Sequence, residues 1–317
     1  MREKLYDLII IGGGPAGFTA ALYAARARLD VLVIERLYSG GMLATMNLME
    51  NYPGFEEPIS GPDLALRMEN QVRKSGAQIL NEPVTEVKLD EPKKLVTTAD
   101  NSYLGKAVIL CMGTTPKSLG LPKEDRFRGA GISFCATCDG AFYRDKSVAV
   151  IGGGDTALED ALYLARICSK VMIVHRRDTL RATRILREEA LEHKKIAIVW
   201  NSEVCEYLGE SKLSGIKLKN VVTGAISKSH VAGVFMAIGS KPNNELVQNK
   251  VKLSESGHIL TNELMETDIP GVYAAGDIRE KAFRQVITAA ADGAIAASMA
   301  ERYISTNAVE KLLTPIV

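Results

Sequence analysis

The sequence predicts an α/β protein made of two similar domains, and two stretches of the chain carry this prediction. Residues 5–35 and 146–177 follow one pattern, in which an apolar strand, a glycine-rich turn, a helix and a second apolar strand succeed one another. Each stretch has the length of a β-α-β unit, about thirty residues, whose glycine turn binds a dinucleotide. The expected fold class is therefore α/β, with two Rossmann-like, three-layer dinucleotide-binding domains.

The first unit runs from the strand LYDLIII through the turn GGGPAG at residues 12–17 to the helix FTAALYAARAR and the strand VLVIE. Glycine is needed in such a turn because the backbone approaches a pyrophosphate closely. The helix N-terminus supplies N–H groups and a partial positive charge to the same phosphates. The binding residues predicted in this turn are Gly12, Gly14, Pro15, Ala16 and Gly17.

The second unit repeats this order with the strand SVAVI, the turn GGGDTA at residues 152–157, the helix LEDALYLARICS and the strand KVMIVHRR. A single glycine fingerprint is weak evidence, but here the glycines lie between a strand and a helix in both units. The binding residues predicted in the second turn are Gly152, Gly154, Asp155, Thr156 and Ala157.

The end of the second strand in each unit predicts which dinucleotide binds there. Glu35 provides a carboxylate that accepts hydrogen bonds from ribose hydroxyls and repels a phosphate. The second unit has His175, Arg176 and Arg177 at that position, followed by Arg181, and arginine binds phosphate through charge-assisted hydrogen bonds. A solvated basic turn is the plain alternative. The first site suits FAD or NAD, and the second suits NADPH.

The regions between and after the units predict one domain inserted into the other. Strand-like segments follow each unit, and the tail contains GVYAAGDI and the helix-like FRQVITAAADGAIAASMAERYI. We expect a discontinuous domain of residues 1–117 and 247–317, with residues 118–246 inserted. A strand that ends in a Gly-Asp turn places Asp277 where it can bond a ribityl chain or a second phosphate region, which favours FAD in the discontinuous domain.

The stretch SFCATCDG, residues 133–140, contains two of the five cysteines, with an acidic residue directly after the second. Cys135 and Cys138 can form a redox dithiol, half of a zinc site or two independent thiols. Zinc fits poorly because it needs three or four ligands, and the chain has no second CxxC and no HxxxH. The other three cysteines read as small buried hydrophobes. Asp139 can be either a proton carrier or a helix cap, and spacing alone does not separate the two.

Composition excludes several classes of protein. Of the 317 residues, 46% are hydrophobic and 24% are charged, and the net charge is +1, which argues against a nucleic-acid-binding protein. We expect a soluble cytoplasmic protein without membrane contact, because neither a signal-peptide pattern nor a membrane-spanning apolar run is present. Thiols stay reduced in the cytoplasm, so a CxxC there is more often catalytic or metal-binding than structural.

Over essentially its full length the chain resembles the low-molecular-weight thioredoxin reductases. The resemblance rests on the order and spacing of GGGPAG, CATCD at 135–139, GGGDTA, HRRDTLR at 175–181, GVYAAGD at 271–277 and FRQVITAAADG at 283–293. It implies FAD in the discontinuous domain, NADPH and a redox disulfide in the inserted domain, thioredoxin or a thioredoxin-like disulfide protein as partner, and a homodimer. It also implies a rotation between the domains.

The resemblance implies roles for individual residues as well. Cys138 would face the flavin, Cys135 would attack the partner's disulfide, and Asp139 would handle the thiol proton. Further FAD-binding residues would be Arg36, Gly40, Gly41, Met42, Leu43, Asn51, Val84, Gly113, Arg284, Gln285 and Val286. Ile238 and Gly239 would join the NADPH site.

The chain departs from the family pattern at three places, and two related enzymes remain as alternatives. Met42 stands where glutamine is common, Cys111-Met112-Gly113 replaces Ala-Thr-Gly, and Asn244 replaces threonine. One alternative is the flavoprotein disulfide reductase of a peroxiredoxin system, which would carry an added N-terminal module. The other is a ferredoxin-type electron acceptor reductase, which needs no CxxC. A flavin- or zinc-binding scaffold is the non-catalytic alternative.

Overall fold

The computed structural model describes residues 4–36, 39–46 and 49–313, and it divides the chain into two compact units. The first unit consists of Met1–Asn47, Ile59–Thr115 and Lys241–Val317, and the second of Leu48–Pro58 and Pro116–Ser240. The sequence placed the junctions at 117/118 and 246/247, so the observed ones lie a few residues earlier. The inclusion of Leu48–Pro58 in the second unit is not anticipated by the sequence.

Regular elements follow the predicted alternation of strands and helices. The strands are β1 (Leu5–Ile11), β2 (Val31–Glu35), β3 (Gln78–Asn81), β4 (Val84–Lys88), β5 (Lys94–Thr98), β6 (Ser102–Leu110), β7 (Thr114–Pro116), β8 (Ile132–Ser133), β9 (Ser147–Ile151), β10 (Lys170–Val174), β11 (Ile196–Val199), β12 (Ser202–Gly209), β13 (Leu213–Asn220), β14 (Ile226–Ser229), β15 (Gly233–Met236), β16 (Ser240–Pro242) and β17 (Val272–Ala274). The helices are α1 (Pro15–Arg26), α2 (Gly61–Lys74), α3 (Glu124–Phe127), α4 (Ala136–Asp139), α5 (Asp155–Ile167), α6 (Arg184–Glu192) and α7 (Val286–Leu313). Short 3₁₀ helices span Gly41–Thr45, Gly140–Tyr143 and Gly276–Ile278.

The first unit is built on a seven-stranded sheet in the order β3-β2-β1-β6-β5-β4, with β17 also paired to β6. Strands β3, β2, β1, β6 and β17 are parallel. Strand β5 pairs antiparallel with the first half of β6, and β4 pairs antiparallel with β5 at the edge of the sheet. Leu8 and Ile10 face one apolar cluster and Ile9 and Ile11 face another, so the sheet is buried on both sides. Such burial explains why its central strands are continuously apolar.

Helices α1 and α7 pack on one face of this sheet. Helix α1 begins at Pro15, three residues before the helical pattern recognised in the sequence, because proline fits the first turn of a helix, where its missing N–H is not needed. A Cβ on Gly293 of α7 would lie 2.1 Å from the Ala16 carbonyl oxygen, so the two helices approach backbone to backbone. This close contact brings the end of the chain to the first glycine turn.

The second unit contains a parallel sheet in the order β11-β10-β9-β15-β8 and an antiparallel sheet of β12, β13 and β14. Helix α5 buries Leu158, Ala161 and Leu164 against the apolar side chains of β9 and β10. Strands β7 and β16 pair with each other where the chain passes between the units. The two dinucleotide-type folds predicted from the sequence are thus both present. Among the described helices, none combines the length and apolar character that a membrane crossing requires.

Candidate active site

At two positions of the first glycine turn there is no room for a side chain. A Cβ on Gly17 would lie 1.9 Å from the carbonyl oxygen of Gly12, and one on Gly12 would lie 2.3 Å from the carbonyl oxygen of Cys111. Gly12 also has a φ of +109°, which other residues rarely adopt. The turn therefore leads directly from β1 into the N-terminus of α1, whose first N–H groups have no partner within the helix and suit a phosphate.

Glu35 is held against this turn by the backbone. The N–H of Gly13 donates to Glu35 Oε2 at 2.6 Å, and the N–H of Arg36 donates to Oε1 at 2.7 Å. A carboxylate has about four acceptor sites, which makes it a suitable partner for the hydroxyl groups of a ribose. The position predicted to select the dinucleotide is thus adjacent to the predicted phosphate site.

Asp277 lies in a loop that packs against the first glycine turn. A Cβ on Gly276 would lie 2.8 Å from the Cβ of Ala16, which brings the β17–α7 loop against the start of α1. Asp277 Oδ1 is buried and has no hydrogen-bond partner among the described residues. Burial raises the pKa of this carboxyl, while Lys281 and Arg284 oppose the increase. A buried acceptor without a donor is what a ligand hydroxyl would satisfy, so the site fits FAD.

The loop that carries Asp277 is anchored by a residue that sequence reasoning missed. Asp292 of α7 is buried and accepts hydrogen bonds from the Gly276 N–H at 3.1 Å and from Lys281 Nζ at 2.7 Å. The guanidinium of Arg279 lies 3.4 Å away. Asp292 is the single charged residue between Val286 and Ala300. A lone charged residue in an apolar helix is the sequence feature that could have identified it.

The other predicted flavin residues are divided between the two units. The Gly40 N–H donates to the Gly13 carbonyl at 2.7 Å, so the loop that continues through Gly41, Met42 and Leu43 borders the first turn. Arg284 donates to the carbonyls of Lys281 and Arg279, and its Nε is buried without a partner in the described chain. Val286 is the first residue of α7 and Gln285 directly precedes it, Val84 starts β4, and Gly113 follows β6 with a φ of +62°. Asn51, in contrast, belongs to the second unit.

The second glycine turn has His175 where the first has Glu35. A Cβ on Gly153 would lie 2.2 Å from the imidazole of His175, which is buried. The His175 Nε2–H donates to the Thr179 carbonyl at 2.9 Å. Burial lowers the pKa of this histidine, and Arg181 and Arg177 lower it further. His175 is therefore a neutral side chain that holds the turn, and it differs in this respect from the arginines predicted beside it.

Arg176, Arg177 and Arg181 are all exposed, and none forms an ion pair with a carboxylate of the described chain. The Arg181 N–H donates to the Gly153 carbonyl at 2.7 Å, so the backbone, independently of the guanidinium, positions this residue at the turn. Three cations beside a dinucleotide-type turn suit a 2′-phosphate, and the site fits NADPH.

Other predicted NADPH residues lie around the same turn. Asp155 Oδ1 accepts the Thr183 N–H at 2.7 Å, so its carboxylate ties the arginine segment to the start of α5. Thr156 is exposed and Ala157 is buried, and Ile238 and Gly239 follow β15. The Gly239 carbonyl accepts the Lys117 N–H at 3.0 Å.

Cys135 and Cys138 form a disulfide within the second unit, with their Cα atoms 5.3 Å apart. Cys138 is buried, whereas Cys135 is half-buried. Sγ of Cys135 accepts the Cys138 N–H at 3.2 Å, and the Thr137 hydroxyl oxygen lies 3.4 Å from it. Nδ2 of Asn51 lies 3.9 Å from Cys138 Sγ, so Asn51 contacts the disulfide within the second unit.

Ser133 and Asp139 flank the disulfide. Ser133 Oγ donates to the Cys135 carbonyl at 3.2 Å and accepts the Cys135 N–H at 3.1 Å. Burial raises the pKa of the Asp139 carboxyl above its ordinary value, and a hydrogen bond with Ser133 opposes the increase. A carboxyl that keeps its proton to higher pH can exchange a proton with a neighbouring thiol. The importance of Ser133 had no signal in the sequence apart from its proximity to the CxxC.

The remaining thiols take no part in this arrangement. Cys111 and Cys168 are buried, as expected, whereas Cys205 is only half-buried, with its Sγ 3.4 Å from the Lys217 carbonyl. Within the described residues, no three side chains of the metal-binding types form a cluster that could hold an ion.

The fold and site together define an oxidoreductase with two dinucleotide-binding domains and a redox disulfide. The chain belongs to the pyridine nucleotide-disulphide oxidoreductase family, whose model matches residues 6–293. A thioredoxin reductase of Mycolicibacterium smegmatis is 44% identical over 96% of this chain and 98% of its own length. A bifunctional thioredoxin reductase/thioredoxin of Mycobacterium leprae is 44% identical over 98% of this chain and 68% of its own. The crystal structure of thioredoxin reductase from Streptococcus pyogenes is 42% identical, with a TM-score of 0.91 over 95% of this chain and 99% of that one.

If Asp277 binds FAD, Asp277→Ala should weaken the binding of FAD to the apoprotein about 10- to 100-fold, since a hydrogen bond to a charged group contributes about 1.5–3 kcal/mol. The same change should leave the melting temperature of the apoprotein equal or higher, because it removes a buried carboxyl whose Oδ1 has no donor among the described residues. Quenching of FAD fluorescence measures the first quantity and calorimetry the second. An unchanged FAD affinity would contradict the assignment.

Proposed function

We propose that this protein is an NADPH-dependent thioredoxin-disulfide reductase. In this activity the first unit would hold FAD and the second NADPH, whose two electrons would reach the Cys135–Cys138 disulfide by way of the flavin, and the resulting dithiol would reduce the disulfide of thioredoxin. The observation that carries the proposal is the disulfide in the unit that also contains the second glycine turn and its arginines. The names and near-complete coverage of the relatives support it.

The residues of the chain divide this work between the two units. FAD, when bound, supplies a carrier that takes two electrons from NADPH and gives them to a disulfide. Two electrons and two protons convert Cys135–Cys138 to a dithiol, one thiolate attacks the partner's disulfide, and the second thiolate breaks the mixed disulfide. Half-buried Cys135 is our candidate for the attack and buried Cys138 for contact with the flavin, with Asp139 moving the proton.

Thioredoxin is the proposed partner. The relatives are named for its reduction, and one of them is a bifunctional thioredoxin reductase/thioredoxin, a protein that carries both components. We also propose that the protein is cytoplasmic, where a reductive thiol system operates, and that it forms a homodimer. Light scattering of the holoprotein tests the dimer; a mass equal to one chain would contradict it.

We further propose that the two domains rotate relative to one another between the half-reactions. Hydride transfer from NADPH and thiol transfer at the flavin each need near-contact distances of about 3–3.5 Å. The dithiol must in addition reach a protein partner, and one fixed arrangement hardly meets all three demands. A covalent crosslink between the domains should therefore stop turnover with thioredoxin, and full turnover of the crosslinked protein would rule the rotation out.

A steady-state assay tests the function directly. The holoprotein should reduce oxidised thioredoxin with NADPH, with NADH measured in parallel as the control donor. A colourless preparation that contains stoichiometric zinc, or a flavoprotein that oxidises NADPH without reducing thioredoxin, would overturn the proposal.

Asp139→Asn should slow the thiol exchange step about a hundredfold, because it removes the proton carrier. The raised pKa means that the folded state binds this proton more tightly than the unfolded state. The contribution of Asp139 to stability is therefore present at low pH and is lost as the pH rises through the folded-state pKa. Asparagine never ionises, so at alkaline pH the melting temperature of the variant should equal or exceed that of the parent. An unchanged rate and pH profile would assign Asp139 a capping role only.

A further inference from the structure

Beside Cys135 lies an aromatic–arginine pair that none of the sites above uses. The Arg128 guanidinium lies over the ring of Phe134, 5.1 Å from its centroid, at a cation–π distance. Phe134 directly precedes Cys135 in the chain. Arg128 also forms an ion pair with Asp125, with 3.1 Å between Nε and Oδ1. Arg128 keeps 37% of its side chain exposed and Asp125 keeps 94%.

The segment that carries this pair is tightly folded. The Gly129 N–H donates to the Ile132 carbonyl at 3.0 Å, and the Ala130 N–H donates to the Phe127 carbonyl at 2.9 Å. Phe127 and Ile132 are fully buried, and Phe134 packs against the same apolar cluster. Both members of the pair are thus held before any partner arrives, which lowers the entropy lost on binding.

The existing contact of Arg128 is easily exchanged. An ion pair with a carboxylate as exposed as that of Asp125 contributes little to stability. A protein partner can therefore replace Asp125 with its own carbonyl or carboxylate oxygen while the guanidinium stays on the ring. Arginine and aromatic side chains are also the types that contribute most to the affinity of protein interfaces.

We propose that Arg128 and Phe134 form the docking surface for oxidised thioredoxin. The guanidinium binds an oxygen atom on the loop that carries the thioredoxin disulfide, and the ring contacts an apolar side chain beside it. Because Phe134 and Cys135 are neighbours in the chain, docking there brings the partner's disulfide to the half-buried sulfur. The inference rests on the proposed function, since it identifies where the proposed substrate binds.

Steady-state kinetics of the holoprotein with oxidised thioredoxin test this surface. Arg128→Ala should raise KM for thioredoxin about tenfold and leave kcat near that of the parent. Alkylation of the NADPH-reduced dithiol by iodoacetamide, a small neutral reagent that needs no docking, should keep its rate. Arg128→Lys retains the charge but loses the planar group, so its KM for thioredoxin should be closer to that of Arg128→Ala than to that of the parent. Phe134→Leu, which keeps apolar packing, should raise KM several-fold.

Arg126→Ala is the matched control, because it removes the same charge from an exposed position on α3, the short helix that ends just before Arg128. Its KM should stay within about twofold of the parent, as for a surface charge outside the contact. A parental KM in Arg128→Ala, or an equal increase in Arg126→Ala, would overturn the docking surface alone. A parent protein that reduces no thioredoxin would instead overturn the proposed function, and the inference with it.

Discussion

Replacement of either Cys135 or Cys138 by serine should lower the rate of thioredoxin reduction at least about a thousandfold, because each sulfur is a covalent participant. The flavin of both variants should still be reduced by NADPH, since neither cysteine lies in the arginine cluster or in a glycine turn. Stopped-flow loss of flavin absorbance measures the reduction of the flavin by NADPH, and thioredoxin-dependent NADPH oxidation measures the complete reaction.

The matched control is Cys205→Ser, which changes a half-buried thiol of the same unit that lies in β12 and has no disulfide partner. Its turnover should stay close to that of the parent. Thioredoxin reduction at the parental rate by Cys135→Ser or Cys138→Ser would remove the disulfide from the electron path. A mixed disulfide with thioredoxin trapped in only one serine variant would identify the attacking sulfur, which is Cys135 in our assignment.

Loss of the arginine cluster should convert an NADPH enzyme into one that hardly distinguishes NADPH from NADH. Arg177→Ala and Arg181→Ala should each raise KM for NADPH about 10- to 100-fold, as expected for one charge-assisted hydrogen bond to a phosphate. KM for NADH should stay nearly constant, because NADH lacks the 2′-phosphate. The backbone of both residues makes its hydrogen bonds regardless of the side chain, so the turn should keep its shape.

Arg184→Ala serves as the control for net charge in that experiment. Arg184 is an exposed residue of α6 that pairs with Glu188, one turn along the helix. An equal increase in KM for NADPH in this variant would show that general charge, and not a phosphate site at Arg177 and Arg181, is responsible. A parallel increase for both nucleotides would place the arginines outside the 2′-phosphate contact.

The features that the sequence predicts best are those that local chain geometry determines. The two glycine turns, their strands and their helices could be located because backbone approach at Gly12 and Gly17 leaves room for no other residue. Glu35 and His175 could be recognised as equivalent from their positions, because Glu35 is the last residue of β2, His175 directly follows β10, and each lies against the middle glycine of its turn. The structure added that His175 is buried and that its pKa is lowered, because burial and the nearby Arg181 and Arg177 disfavour its charged form.

The features that the sequence could not predict depend on contacts between distant segments. Asn51 Nδ2 lies 3.9 Å from Cys138 Sγ although the two residues are 87 positions apart in the chain. No sequence pattern near either residue predicts that contact. Asp292 reaches Gly276 from the middle of a helix, so its role depends on the packing of α7. The second unit gains Leu48–Pro58 for the same reason, because a division of the chain by sequence order cannot reassign a short segment.

The unpaired oxygen of Asp277 has a consequence for how the protein is maintained in a cell. Without flavin this buried oxygen has no donor among the residues that the structure describes, whereas flavin binding would supply the donor and add its binding energy to folding. Saturation at about a thousand times the dissociation constant stabilises the folded state by about 4 kcal/mol, a large part of the stability of an ordinary domain. Newly made chains that find no flavin would thus unfold more often and be degraded sooner, so the supply of vitamin-derived cofactor would set the abundance of the enzyme.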